Sequence, residues 1–182
     1  MSLCIKHIKG TWMLIISPDS KLYNFIHQQE KNVPSLWIDK RIARDKTTDY
    51  HITLFNPDEN TTKSTKYMKK LISNNKDMLS DDYNIFFPLG FYIDDEISYL
   101  PVYFPLGEKI RHDLNLNMKH FHITLGFLLK DKHNINKSVT TLSPQKLFNY
   151  QIERINLTPQ QVKLADPAMF FFFYQYLNKL PN

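Results

Sequence analysis

Tyr50-His51-Ile52-Thr53-Leu54-Phe55 and Phe121-His122-Ile123-Thr124-Leu125-Gly126-Phe127 carry the same tetrapeptide, His-Ile-Thr-Leu, each copy preceded and followed by aromatic residues. Side chains alternate faces along a strand, so in each copy His and Thr share one face while Ile and Leu share the other. The spacing predicts strands over Tyr50–Phe55 and Phe121–Leu129, each with a core face and a polar face. Two copies about seventy residues apart do not make a solenoid. They imply two similar lobes, each built around one motif strand.

The flanking sequence supports an α+β chain. Thr11–Ile16 is an apolar run suited to a buried strand. Ser17-Pro18 reads as an N-cap followed by Pro at the first helical position, and Leu22, Phe25 and Ile26 follow at helical spacing, predicting a helix from Pro18 to about Lys31. Lys31–Asp49 contains Pro34 and the basic residues Lys40, Arg41, Arg44 and Lys46, and reads as a loop with a turn of helix at most. Tyr67, Met68, Leu71 and Ile72 predict a helix over Thr62–Asn74. From Tyr83 to Phe104 the pattern is β, with Asp94-Asp95-Glu96 as a hairpin turn. Gly107–Asn117 reads as a short helix and Lys130–Lys137 as a polar loop. Tyr150–Leu157 and Met169–Leu177 are expected to be strands, the second for its aromatic content. Irregular interleaving of strands and helices favours α+β over a doubly wound parallel sheet.

Composition narrows the chemistry. At 182 residues with 42% apolar content and 25 aromatics, the chain can bury a substantial core, and residues 1–182 are expected to form one domain with two lobes. Four glycines leave no GxGxxG and no Walker pattern. The single cysteine, Cys4, excludes an internal disulfide and any Cys-rich zinc site. The segment Met1–His7 lacks the apolar run of a leader, and Phe170–Phe173 falls far short of the ~20 apolar residues that span a bilayer. A soluble, monomeric, cytoplasmic protein with no membrane partner is expected, the nucleus being the alternative. The net charge of +5 favours a polyanionic partner.

Two imidazoles and two hydroxyls around one point suit phosphodiester cleavage. Histidine titrates near neutrality, so one ring can act as base while the other acts as acid. Threonine hydroxyls can hold the phosphate oxygens as charge builds on them. His120 and His122 could also be read as a metal pair on one strand face, but no Asp, Glu or Cys stands at suggestive spacing. Neither a metal nor a cofactor is expected.

Two His-x-Thr motifs on apolar strands, in a chain of this size, resemble the 2H phosphoesterase superfamily, the LigT-like group. Its members include 2′,3′-cyclic phosphodiesterases, 2′,5′-oligoadenylate phosphodiesterases and a branch that trims the 3′ ends of small nuclear RNA. The resemblance implies two pseudo-symmetric antiparallel β-sheet lobes around a central cleft, with helices on the outer faces. It implies His51 and His122 as the acid/base pair and Thr53 and Thr124 on the phosphate. Many members place Pro directly before the motif His, where this chain has Tyr50 and Phe121. Around the motifs, Tyr50, Arg41, His120 and Tyr103 are candidates for contact with substrate. Hydrolysis of 2′,3′-cyclic phosphates of RNA ends or nucleotides to 2′-phosphates is the leading expectation. A 2′,5′-oligoadenylate phosphodiesterase or a 3′ RNA exonuclease is the alternative within the enzyme class. A non-catalytic RNA-end binder is the alternative outside it. His51 is favoured as acid and His122 as base.

Overall fold

The computed structural model describes residues 3–74, 85–133, 135–155 and 167–177. The strands are β1 (Leu3–Ile8), β2 (Thr11–Ile16), β3 (Tyr50–Phe55), β4 (Phe87–Pro88), β5 (Tyr92–Ile93), β6 (Ile97–Tyr103) and β7 (His122–Phe127). The helices are α1 (Lys21–Glu30), α2 (Ser35–Asp45), α3 (Thr62–Asn74), α4 (Pro105–Asp113), α5 (Asn149–Glu153) and α6 (Pro167–Leu177). The expected strand pattern at residues 83–84 and the end of the Tyr150–Leu157 segment lie outside the described residues.

The strands form two antiparallel sheets, giving an α+β fold. One has the order β1-β2-β3. In the other, β4 and β5 pair with β6, and β7 pairs with β6. Lys9 (φ 49°) and Gly10 (φ 82°) form the two-residue turn between β1 and β2. Both central residues have positive φ, which matches the turn's twist to that of the flanking strands.

Each motif strand ends its own sheet, and each carries the same irregularity. Thr53 pairs with Met13 and Phe55 with Trp12, which leaves Leu54 unopposed. Thr124 pairs with Tyr99 and Gly126 with Ser98, which leaves Leu125 unopposed. The leucine of the repeated tetrapeptide is thus a bulge in both sheets. A bulge bends its strand and sharpens the twist, which re-aims the residues beside it. Ile52, Leu54, Ile123 and Leu125 are fully buried in one core, while His51, Thr53 and His122 stay partly exposed. Burying an aliphatic side chain contributes about 1.5–3 kcal/mol, so the four together hold both strands firmly by their inner faces.

Three sequence expectations are corrected. The helix after β2 begins at Lys21, because the N-cap is Ser20 and not Ser17: Ser20 has extended backbone and accepts a hydrogen bond from the Leu22 amide at 3.1 Å. The segment read as a loop contains α2. Its buried stripe is Trp37 and Arg41, one turn apart. A charged residue on the inner face disguised the helical period, and Glu30 neutralises it at 2.8 Å. The two C-terminal segments expected as strands hold α5 and α6. In α6, Met169 and Phe173 are buried while Phe171 and Tyr174 are exposed, which is helical spacing that the run of phenylalanines conceals.

Helix α2 lies against β7 at Gly126. A Cβ at Gly126 would stand 2.9 Å from Trp37 Cβ, 3.0 Å from the Trp37 carbonyl carbon and 3.0 Å from Val33 Cγ1. Backbone, not a flexible side-chain tip, would have to yield. Gly126→Ala should therefore lower the unfolding free energy by about 1–3 kcal/mol, measured by urea denaturation. An unchanged midpoint would show that α2 does not rest on this glycine.

Candidate active site

The register of β2 and β6 places apolar neighbours beside each motif. Met13 stands opposite Thr53 and Ile15 opposite His51, while Tyr99 stands opposite Thr124 and Pro101 opposite His122. His51, Thr53, His122 and Thr124 all line one cleft of about 720 Å³ between the two sheets. Matched faces on two edge strands, with matched bulges behind them, bring the four motif groups to a single space.

The hydrogen bonds of His122 define its tautomer. Its Nδ1 lies 3.0 Å from the His120 carbonyl oxygen, which can only accept, so Nδ1 carries the hydrogen. Nε2 is left with its lone pair and receives a hydrogen bond from the Lys137 ammonium at 3.3 Å. Burial and then the Lys137 charge push the His122 pKa down to about 3. The ring is therefore neutral near pH 7, with Nε2 unprotonated.

His51 has a different neighbour. Its Nδ1 stands 3.8 Å from Asp45 Oδ2. Burial lowers its pKa, and Arg44 and Arg41 add to the fall, while Asp45 opposes it by favouring the imidazolium. One histidine thus faces a cation and the other a carboxylate.

A line of ion pairs joins the two half-sites. Arg44 binds Asp45 through Nε at 2.6 Å and Nη2 at 3.0 Å, and reaches Asp131 through Nη1 at 2.5 Å. Asp131 binds Lys137 at 2.8 Å and receives the Thr124 hydroxyl at 3.4 Å. Burial works against ionisation of Asp131, but Lys137 and Arg44 outweigh it and hold the carboxylate below its ordinary range. Lys137 is itself buried, and burial lowers its pKa against the pull of Asp131. Lys119 also lines the cleft, donating to Asn56 Oδ1 at 2.9 Å. Among the described residues, no three His, Cys, Asp or Glu side chains come together as a metal site.

Of the four further candidates, His120 lines the cleft and is exposed. Tyr50 borders it, but its ring is buried between Tyr23 and the Arg41 guanidinium, with its hydroxyl 3.3 Å from His27 Nδ1. Arg41 is buried on Glu30 and the Asp49 carbonyl, away from the cleft lining. Tyr103 is buried against Phe87 and Phe173, also away from the lining. Both fill the core because strand and helix periodicity turns them inward. Sequence reasoning missed Asp45, Asp131, Lys137 and Lys119. Asp45 fell in a segment read as loop, and Asp131 and Lys137 in a polar loop where nothing marked them from solvated charges.

Residues 17–133 match the family model described as Swiss Army Knife, 2H phosphoesterase domain. The matched stretch holds both His-x-Thr motifs, Arg44, Asp45 and Asp131; Lys137 lies four residues beyond it. No curated protein and no solved structure matches the chain. The match covers well over half of the sequence, and the chain belongs to the 2H phosphoesterase family.

Side-chain nitrogen NMR checks the charge state of the cleft. His122 should remain the neutral Nδ1–H tautomer from pH 7 down to about pH 3. Removing the neighbouring cation with Lys137→Gln should raise its midpoint, because protonation no longer opposes a like charge. Asp45→Asn should lower the His51 midpoint, because the imidazolium loses its carboxylate. A His122 that titrates at 6.5 in the native protein would contradict this geometry.

Proposed function

We propose, from membership of the 2H phosphoesterase family, that this chain hydrolyses phosphodiesters with His122 as general base and His51 as general acid. The observation that supports this most is the common cleft shared by two His-x-Thr faces from separate sheets. The tautomer of His122 suits a base, since Nδ1 is tied to the backbone and Nε2 keeps the lone pair, which the Lys137 ammonium holds at 3.3 Å. The carboxylate beside His51 suits an acid, since it favours the protonated ring.

For a 2′,3′-cyclic phosphate, the Lys137 ammonium turns from Nε2 to a phosphate oxygen, and the freed His122 Nε2 takes a proton from water as the water oxygen attacks phosphorus. The P–O3′ bond breaks, and His51 delivers its proton to O3′, leaving a 2′-phosphate and a free 3′-hydroxyl. Thr53 donates a hydrogen bond to a non-bridging oxygen, and Thr124 does the same once its hydroxyl turns from Asp131 to the phosphate. The Lys137 ammonium, next to Nε2, adds positive charge where the phosphorane becomes negative. The bound phosphodiester also raises both histidine pKa values by charge attraction, so binding helps protonate the acid. The chemistry in this scheme needs no metal, and it acts on RNA ends or small nucleotides.

The test is turnover in the presence of EDTA on three substrates: a 2′,3′-cyclic nucleotide, a 2′,5′-linked oligoadenylate and a 3′-oligouridylate RNA. The cyclic phosphate should be cleaved fastest. His51→Ala and His122→Ala should each reduce kcat about 10²- to 10⁴-fold. Activity that survives either substitution refutes the two-histidine mechanism, and binding without turnover of any substrate makes the protein an RNA-end binder.

The pH profile gives an independent check. kcat/KM requires one histidine neutral and the other protonated in the free protein. Its acid limb should lie near 3 and its alkaline limb below the ordinary histidine value of 6.5. Lys137→Gln should shift the acid limb upward and Asp45→Asn should shift the alkaline limb downward. A profile flat between pH 4 and 8 would rule out the acid/base roles.

A further inference from the structure

A second groove, of about 930 Å³, adjoins the cleft on the far side of the Arg44–Asp131 pair. The two spaces share Arg44, Asp131, His133 and Ile135 as a common wall. The groove runs between the C-terminal half of α2 and the segment that leaves β7. Its lining mixes cations with apolar surface. Lys40 comes from α2 and Lys130 from the segment after β7, where Leu129, directly before Lys130, is 79% exposed. The Arg44 guanidinium lies over the Phe127 ring at 5.1 Å.

The basic residues of the α2 segment are thereby sorted into different jobs. Arg41 is consumed in the core by Glu30, and Arg44 belongs to the ion-pair line of the cleft. Lys40 lies in the second groove, where one of its hydrogens is given to the Leu128 carbonyl. A carbonyl does not neutralise its charge. Lys132 is paired with Glu96. The groove therefore offers Lys40 and Lys130 to an anion, with an exposed leucine beside them.

Cation and apolar surface together are what one nucleotide unit requires: a phosphate to neutralise and a base face to cover. The groove adjoins, across Arg44 and Asp131, the cleft proposed to take the scissile phosphate. We propose that it binds the neighbouring nucleotide of an oligonucleotide, with the next backbone phosphate between Lys40 and Lys130 and the base against Leu129. The preferred substrate is then the end of a single strand at least two nucleotides long, not a free cyclic mononucleotide. This rests on the phosphodiesterase reading of the adjoining cleft.

The experiment compares kcat/KM for a 2′,3′-cyclic mononucleotide, dinucleotide and trinucleotide of one sequence. The dinucleotide should exceed the mononucleotide at least tenfold, and the trinucleotide should add little. The Lys40→Gln/Lys130→Gln double variant should lose that gain while keeping the mononucleotide rate. Lys130→Gln alone, which leaves the Leu128 contact intact, and Leu129→Ser should each remove part of it. The dinucleotide advantage should weaken with salt, by about 0.7 in log K per log [salt] for each phosphate contact, and the double variant should flatten that slope. Equal kcat/KM for all lengths, or a gain that the variants leave untouched, overturns the proposal.

Binding separates this outcome from failure of the catalytic reading. With inactive His122→Ala protein, a dinucleotide carrying a 3′-phosphate should bind at least tenfold more tightly than the mononucleotide. Tighter dinucleotide binding without any turnover by the native protein would refute catalysis and keep the groove. Equal affinities would refute the groove whether or not the native protein is active.

Discussion

Arg44 and Asp131 meet at 2.5 Å between two strands that belong to different sheets. Arg44 comes from the last turn of α2, and Asp131 from the segment that follows β7. The two motif strands already share one core through Ile52, Leu54, Ile123 and Leu125, and the ion pair adds a tie between the segments that flank them. The pair draws the end of α2 and the segment after β7 over the gap, and each partner then passes the constraint on. Arg44 orients Asp45 toward His51, and Asp131 orients Lys137 toward His122. Gly126 permits this by letting α2 sit directly on β7. An ion pair in this position is weak evidence for stability, because desolvation offsets much of the attraction. Its value lies in geometry, since it fixes which charge stands beside which histidine.

That placement breaks the symmetry of the repeated sequence. The two tetrapeptides are identical, and so are their bulges, so local structure treats the halves alike. The difference arises only from what packs against them. A lysine beside one ring and an aspartate beside the other favour opposite protonation states, which is what acid/base catalysis by two like residues requires. Burial lowers both pKa values. In the proposed reaction the negative charge of the phosphodiester opposes that fall.

Much of this was legible in the sequence, for a definite reason. Strand alternation acts over two residues, so His51 with Thr53 and His122 with Thr124 could be assigned a common face without tertiary knowledge. Helix α3 was equally clear, because Tyr67, Met68, Leu71 and Ile72 keep helical spacing with no charge on the inner side. Helix α2 was hidden because Arg41 lies on its buried face, and only the distant Glu30 makes that tolerable. The same limit concealed Asp131 and Lys137: a buried ion pair and a solvated one have the same sequence. Arg41 and Tyr103 were candidates for substrate contact on residue type, and packing, which is non-local, turned both inward. The matched bulges at Leu54 and Leu125 also escaped notice, since a bulge depends on the partner strand as much as on its own.

The central claim is that the two half-sites act on one phosphorus atom. A pentacoordinate nucleoside–vanadate complex, titrated into the protein while the His51 and His122 ring resonances are followed by NMR, tests it most directly. Both rings should shift along one isotherm that saturates at one equivalent, with His51 moving toward the imidazolium. Separate isotherms, two equivalents, or a response confined to one ring would contradict the claim.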